Sequence, residues 1–291
     1  MDDGSAVECH IKGNFRIRGI RSTNPVAVGD YVQVEDDWIT DVEQRRNYII
    51  RKATNLSKES HILAANIDQV ALIVTVNHPV TSTTFIDRFL ATCEAYRVDA
   101  ILIFNKIDLL TDEELAHLDE LRALYESLGY HTLAISAKNL QGTAYSEQKT
   151  DLLSLLQGKV TLLSGNSGVG KSTLLNALFG KEVTRTGKIS DAHDKGMHTT
   201  TFSEMYFLDN GAVIDTPGIK GFGSVDFSKE EVSHYFREIF RTAQDCRFGN
   251  CTHTEEPGCA VQEAVIKGLI AVSRYESYLS LLGDCTESKY R

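Results

Sequence analysis

The octapeptide Gly165-Asn166-Ser167-Gly168-Val169-Gly170-Lys171-Ser172 restricts the fold more than any other part of this sequence, because it fits the pattern G-x-x-x-x-G-K-[ST]. It follows the apolar run Val160-Thr161-Leu162-Leu163 and precedes Thr173-Leu174-Leu175-Asn176-Ala177-Leu178, so a buried strand enters a glycine-rich turn and leaves it as a helix. The glycines let successive backbone N–H groups point into one concavity, and the helix N-terminus adds partial positive charge. Lys171 is placed to reach the terminal phosphates of a nucleotide, and the Ser172 hydroxyl to ligate Mg²⁺.

The surrounding sequence supplies the layers such a loop needs. Val70-Ala71-Leu72-Ile73-Val74-Thr75-Val76 and Ala100-Ile101-Leu102-Ile103-Phe104 are continuous apolar runs of strand length, as parallel strands buried on both faces require. Helical patterns run from Phe85 to Tyr96 and from Glu113 to Leu128, the second opened by Thr111-Asp112-Glu113-Glu114 and closed by Gly129. Before them, from His10 to about Leu63, short alternating segments such as Phe15-Arg16-Ile17-Arg18 and Tyr31-Val32-Gln33-Val34 predict a small antiparallel β-barrel. Beyond Lys229 the pattern is mostly helical. The predicted division is a β-barrel over residues 1–64, an α/β P-loop domain over 65–226 and a helical, metal-binding domain over 227–291.

The base is read by Asn105-Lys106-Ile107-Asp108, which directly follows the strand ending at Phe104. A carboxylate at Asp108 can accept from guanine N1–H and the exocyclic amine, for which adenine has no counterpart, so the pair of motifs predicts GTP. Ser136-Ala137-Lys138 follows the short apolar run Thr132-Leu133-Ala134-Ile135 and resembles the second guanine-contacting loop of GTPases. Asp215-Thr216-Pro217-Gly218 follows Ala212-Val213-Ile214, which sets Asp215 at a strand end to hold Mg²⁺ through water and Gly218 to sense the γ-phosphate. Of Thr199, Thr200 and Thr201, Thr200 is expected to close over Mg²⁺. The residue after Gly218 is Ile219, where a water-orienting Gln would be needed for fast intrinsic hydrolysis. His198 is a candidate for the missing polar group, the alternative being a solvated loop histidine.

Motif order is itself informative, since the base-reading elements precede the phosphate loop. This is a circular permutation, tolerated where the original termini lie close together. It leaves the γ-phosphate-sensing segment running straight into the C-terminal helices, so that segment is expected to reposition the Cys-rich region.

Three of the six cysteines, Cys246, Cys251 and Cys259, crowd together around His253 among Gly and Pro turns, the donor set of one structural Zn²⁺. Cys9, Cys93 and Cys285 stand apart, and His61, His78, His117 and His131 carry no signal. The formal charge of −10 argues against a protein that coats nucleic acid through a broad positive field. Sparse cysteines, no apolar run long enough to span a bilayer and no signal-peptide layout predict a cytoplasmic protein without a membrane partner. Lys12, Arg16, Arg18, Arg21, Arg45, Arg46, Arg51 and Lys52 lie in the barrel region, where either a phosphate-binding face or a merely solvated strand face accounts for them.

With this motif order, the barrel, the run Gly196-Met197-His198-Thr199-Thr200-Thr201 and the C-x4-C-x-H-x5-C stretch, the chain resembles the RsgA (YjeQ, YloQ) family of circularly permuted GTPases over nearly its whole length. The resemblance implies an OB-fold at the N-terminus and GTP hydrolysis to GDP stimulated by the small ribosomal subunit. It also implies contact with rRNA and release of the matured subunit on hydrolysis, by a protein expected to be a monomer. Relative to that family the sequence starts late at Asp2-Asp3-Gly4, so the barrel is expected to lack its first strand. A GTP-gated rRNA-binding scaffold with little turnover is the alternative, favoured by Ile219.

Overall fold

The computed structural model describes residues 6–11, 25–52, 60–180, 203–216 and 227–287. Three strands, β1 (His10–Ile11), β2 (Val32–Glu35) and β3 (Trp38–Val42), form a sheet in the order β1-β3-β2. Asp36 and Asp37 both take left-handed conformations (φ 47° and 63°), the two-residue turn whose twist suits an antiparallel hairpin. β4 (Tyr48–Lys52) and β5 (Ser60–Ala65) make a separate antiparallel pair. The expected barrel is thus seen, among the described residues, as a strand-rich region of two small sheets. Lys12, Phe15, Arg16, Arg18 and Arg21 lie outside the described residues.

This region is bolted to residues 65–67, through which the chain leaves it. Ala65 N–H donates to Val28 O (2.9 Å), and a Cβ on Gly29 (φ +92°) would lie 2.1 Å from Ala65 O, so only glycine fits that crossing. The Asn47 side chain donates to Ile67 O (2.8 Å) and accepts from Ile67 N–H (2.9 Å). Arg45, whose Asp30 partner is buried with it, closes the turn beneath through two bonds of 2.6 Å.

The centre is a six-stranded sheet built from β6 (Gln69–Val74), β7 (Asp99–Phe104), β8 (His131–Ala134), β9 (Val160–Gly165), β10 (Glu204–Leu208) and β11 (Gly211–Asp215). Their order is β10-β11-β9-β6-β7-β8, all parallel except β10. Every residue of β6 is buried, which explains its unbroken apolar run. Val70, Leu72 and Val74 point to one core, shared with α1 (Thr83–Tyr96) and α2 (Asp112–Ser127), and Ala71 and Ile73 to the other, shared with α3 (Ser146–Leu156) and α4 (Lys171–Phe179). Ser82 caps α1, and Thr111 with Glu114 forms a reciprocal capping box on α2, as its sequence predicts. Because the parallel strands share one direction, Val74, Phe104, Ala134, Gly165 and Asp215 all end at one edge of the sheet, where ligands of open α/β sheets bind.

The C-terminal part contains α5 (Arg237–Ala243), α6 (Ala260–Ile266) and α7 (Val272–Glu287). Its core of Val232, Phe236, Ile239, Val261, Ile270, Tyr278, Leu281 and Leu282 includes Ala91 of α1, so the two parts share packing. A buried charge network runs through the contact. The Arg274 guanidinium on α7 donates to Asp87 Oδ1 of α1 (2.8 Å) and to both carboxylate oxygens of Glu238 on α5 (2.6 and 3.1 Å). It also lies over the Phe236 ring, 4.8 Å from its centre. Tyr125 O–H of α2 donates to the same Asp87 oxygen (2.9 Å). Burial raises the Asp87 carboxyl above the usual carboxylate range against the pull of Arg274. Burial alone would lower Arg274, but Glu238 and Asp87 hold its pKa above the ordinary arginine value. At the rim Arg237 pairs with Glu94 (2.7 Å), donates to Gly129 O (3.0 Å) and covers the Tyr130 ring at 4.1 Å.

Removing the central cation strands two buried carboxylates. Arg274→Ala is expected to cost about 3–5 kcal/mol in chemical denaturation, whereas Lys267→Ala, on an exposed pair, should cost less than about 1 kcal/mol.

Candidate functional site

β9 ends in the tight loop the sequence anticipates. Gly165 must lack a Cβ, which would meet Ile73 O of the neighbouring strand at 2.6 Å. Gly170 caps α4 in a left-handed conformation (φ +96°), and a Cβ there would lie 2.3 Å from Asn105 Nδ2. The intervening Asn166, Ser167, Gly168 and Val169 carry the turn, with only Val169 buried among them. Ser172 and Thr173 occupy the first turn of α4, half-buried.

The close approach at Gly170 is the centre of the site. Asn105 is buried, its amide donates to Val169 O (2.8 Å), and its carbonyl accepts from Ala137 N–H (2.9 Å). One side chain therefore holds three loops together, those of residues 105–108, 136–138 and 165–171. Ser136 Oγ donates to Asp108 Oδ1 (2.5 Å), and Ser136 N–H to Gln148 Oε1 (3.1 Å). Asp108 and Lys138 are exposed, while Ser136 and Ala137 are buried beneath them. Lys106 takes a left-handed conformation (φ 66°), and its ammonium donates to Gly168 O (2.6 Å) and to His78 O. Ile107 opens a short 3₁₀ turn, its N–H bonded to Ile135 O (3.3 Å).

On the other side of the loop, β11 pairs with β9 so that Asp215 stands opposite Leu163. Lys171 Nζ lies 2.8 Å from Asp215 Oδ1 and donates also to Thr216 O. A cation, a carboxylate, a hydroxyl-bearing helix start and a glycine-rich loop thus converge at one sheet edge. His198, Thr199, Thr200, Thr201, Gly218 and Ile219 lie outside the described residues.

The Cys-rich stretch folds as its donors suggest. The ligating atoms of Cys246, Cys251, His253 and Cys259 all lie within 4.8 Å of one another. Cys246 and Cys259 Sγ are 3.6 and 3.5 Å from His253 Nδ1, and 4.0 Å apart. Four such donors around one tetrahedral ion sit roughly 3.5–3.8 Å apart, so the cluster fits a metal with little adjustment. Burial lowers the His253 pKa, which favours the neutral imidazole that ligates, and raises the Cys251 thiol to about 12. Tyr275 and Tyr278 hydroxyls of α7 donate to the His253 and Thr252 carbonyls (2.6 and 2.7 Å) and fasten the turn to the helical core. Burial would raise Glu256, but bonds from Thr252 and Thr254 hold its carboxyl at about 2.

The sequence model of the RsgA GTPase family matches residues 42–225. The chain belongs to the RsgA GTPase family. Proteins named small ribosomal subunit biogenesis GTPase RsgA are 60% identical in Phocaeicola vulgatus, over all of this chain and 94% of that one, and 57% identical in Bacteroides fragilis, with the same coverage. The crystal structure of YjeQ from Thermotoga maritima is 35% identical and superposes with a TM-score of 0.72 over 96% of this chain and 89% of that one. YloQ, described as a circularly permuted GTPase, superposes with a TM-score of 0.70 at 28% identity, over 97% and 88%.

Several residues that brace these loops and the helical core carry no motif. Gln148 sits on α3 far from any loop signature, and Arg274, Tyr275 and Tyr278 read as an ordinary helix face. The segment from Thr75 to Thr81 touches both Lys106 and Gly168, and its one sequence signal was its position after a buried strand.

The crowding at Gly170 is testable against Gly180, which is also left-handed but has none of the described residues against its Cβ position. Gly180→Ala (φ +65°, no atom of the described residues within 4 Å of its Cβ position) is expected to cost about 1–2 kcal/mol from backbone strain. Gly170→Ala should cost at least about 1 kcal/mol more, because it also displaces Asn105 from two buried partners; thermal denaturation of both variants measures the difference.

Proposed function

We propose that this chain hydrolyses GTP to GDP and phosphate and acts in biogenesis of the small ribosomal subunit, with hydrolysis stimulated by that subunit and coupled to release from it. The observation that carries the reading is the convergence, through Asn105, of a guanine-selecting loop and a phosphate loop at one sheet edge, in a chain 60% identical to a protein named for that role.

In this reading Asn105, Lys106, Ile107 and Asp108, with Ser136, Ala137 and Lys138, form the guanine pocket. Ser136 orients the Asp108 carboxylate from below, with acceptor sites left for the base. Residues 165–170 offer backbone N–H groups to the β- and γ-phosphates, with Ser172 and Thr173 opening the helix behind them. Lys171 exchanges Asp215 for phosphate oxygens, which releases that carboxylate towards the metal side. Ser172 and Asp215, joined by Thr200, are the residues that would hold Mg²⁺; bound with the nucleotide, the ion neutralises charge across the phosphates. Gly218 senses the γ-phosphate, and His198 stands in for the polar group that Ile219 does not supply. Attack of water in line on the γ-phosphoryl group is then governed by positioning and by Lys171 and the loop N–H groups.

Cys246, Cys251, His253 and Cys259 hold one structural Zn²⁺, since all four tetrahedral positions are filled by protein donors. Residues 1–64 contact rRNA, 65–226 bind the nucleotide and 227–291 form the zinc-bearing part. The protein works as a cytoplasmic monomer; among the described residues no helix is long and apolar enough to cross a membrane.

GTP turnover at fixed salt, with and without purified small ribosomal subunits, tests the activity. Stimulation by small subunits is expected, with none by large subunits and none with ATP. Absence of stimulation with GTP binding intact would favour the scaffold role. Lys171→Ala is expected to weaken GTP binding at least ~100-fold by calorimetry. Cys251→Ser should reduce bound zinc from one per chain to a trace in elemental analysis, with loss of helical signal from the C-terminal part.

A further inference from the structure

Two of the three N–H donors of the Lys106 ammonium are taken by the carbonyls of Gly168 and His78. Its Cε lies 3.9 Å from where a Cβ on Gly170 would stand, so the side chain reaches from the guanine-selecting loop to the phosphate loop beside that glycine. Gly168 O belongs to the phosphate loop itself. The second anchor belongs to neither motif.

His78 O is presented by a closed loop between β6 and α1. Thr75 Oγ1 donates to Pro79 O (2.5 Å), Thr75 N–H donates to Thr81 Oγ1 (3.2 Å), and Thr81 N–H donates to Thr75 O (2.9 Å). Asn77 accepts from His78 N–H through its side-chain oxygen (2.8 Å) and donates through its amide to Glu114 Oε1 of the α2 capping box (2.6 Å). His78 is left-handed (φ 62°), a conformation that a β-carbon resists and that these bonds impose. Pro79 faces the phosphate loop, 3.6 Å from the Cβ position of Gly168. Thr75 and Thr81 are buried, so their hydroxyls are committed to the loop.

We infer that residues 75–81 are a positioning strut for guanine-nucleotide binding: the loop fixes the His78 carbonyl, that carbonyl fixes Lys106, and Lys106 in turn ties the guanine-selecting loop to the phosphate loop at Gly168. The inference rests on the nucleotide site proposed above. Thr75, Asn77 and Thr81 act through Lys106 and touch no substrate. Loosening the strut lets the lysine stem lift, and the loss falls on nucleotide retention.

The test is a double-mutant cycle read by displacement of a fluorescent GDP analogue. Asn77→Ala, half-exposed and safe for folding, and Thr75→Val, isosteric, are each expected to speed GDP dissociation roughly three- to tenfold and to raise KM for GTP more than they change kcat. Thr75→Ser, which keeps the hydroxyl, should restore the wild-type rate. In a Lys106→Ala background, itself dissociating GDP faster, neither loop substitution should add anything. Additive effects in that background, or wild-type dissociation from both loop variants, would overturn the strut. Unchanged GDP binding by Lys106→Ala itself would instead overturn the nucleotide site on which it stands.

Discussion

The site depends on one buried amide. Asn105 gives its N–H to the phosphate loop and its oxygen to the loop of Ala137, and it can do so only because residue 170 has no side chain. A primary amide carries a donor and an acceptor side by side in one rigid plane, and burial makes each unmet partner costly. The two halves of a nucleotide site come from segments some sixty residues apart in this chain. That Asn105 binds both explains how a permuted order still yields one compact pocket: the side-chain bridge does not depend on which segment is made first.

A second constraint lies on the far side of α1. Arg274 neutralises carboxylates from α1 and α5, while Tyr125 of α2 adds a further bond to Asp87. Such a network contributes less net stability than an apolar replacement of the same volume, but its directional demands fix how the C-terminal helices sit. Arg237, with its aromatic and carbonyl partners, repeats the same arrangement at the rim.

The sequence made the central sheet legible because a parallel strand buried on both faces needs an unbroken apolar run, as β6 and β7 show. Asn105, Asp108 and the four cluster ligands were legible because their chemistry tolerates few residue types at fixed spacing. The N-terminal region was less so: short strands with mixed faces reveal alternation but not partners, and β1 turned out to pair in parallel with β3. Gln148, Thr75, Asn77 and Arg274 were silent because each acts through a backbone group or a partner distant in sequence. A single Gln or Arg on a helix reads as solvent-facing until the fold brings its partner to it.

The place of α1 bears on how the protein can be cut. Its N-terminal end grows out of the loop that meets Lys106 and Gly168, and its middle, at Asp87 and Ala91, is roofed by the C-terminal helices. A fragment ending at Thr216 would keep the loops of residues 105–108, 136–138 and 165–171 yet leave Asp87 without its cation and Ala91 without its C-terminal cover. The architecture is thus modular along the chain but shared in the interior, and α1 is the helix that joins the nucleotide loops to the C-terminal core.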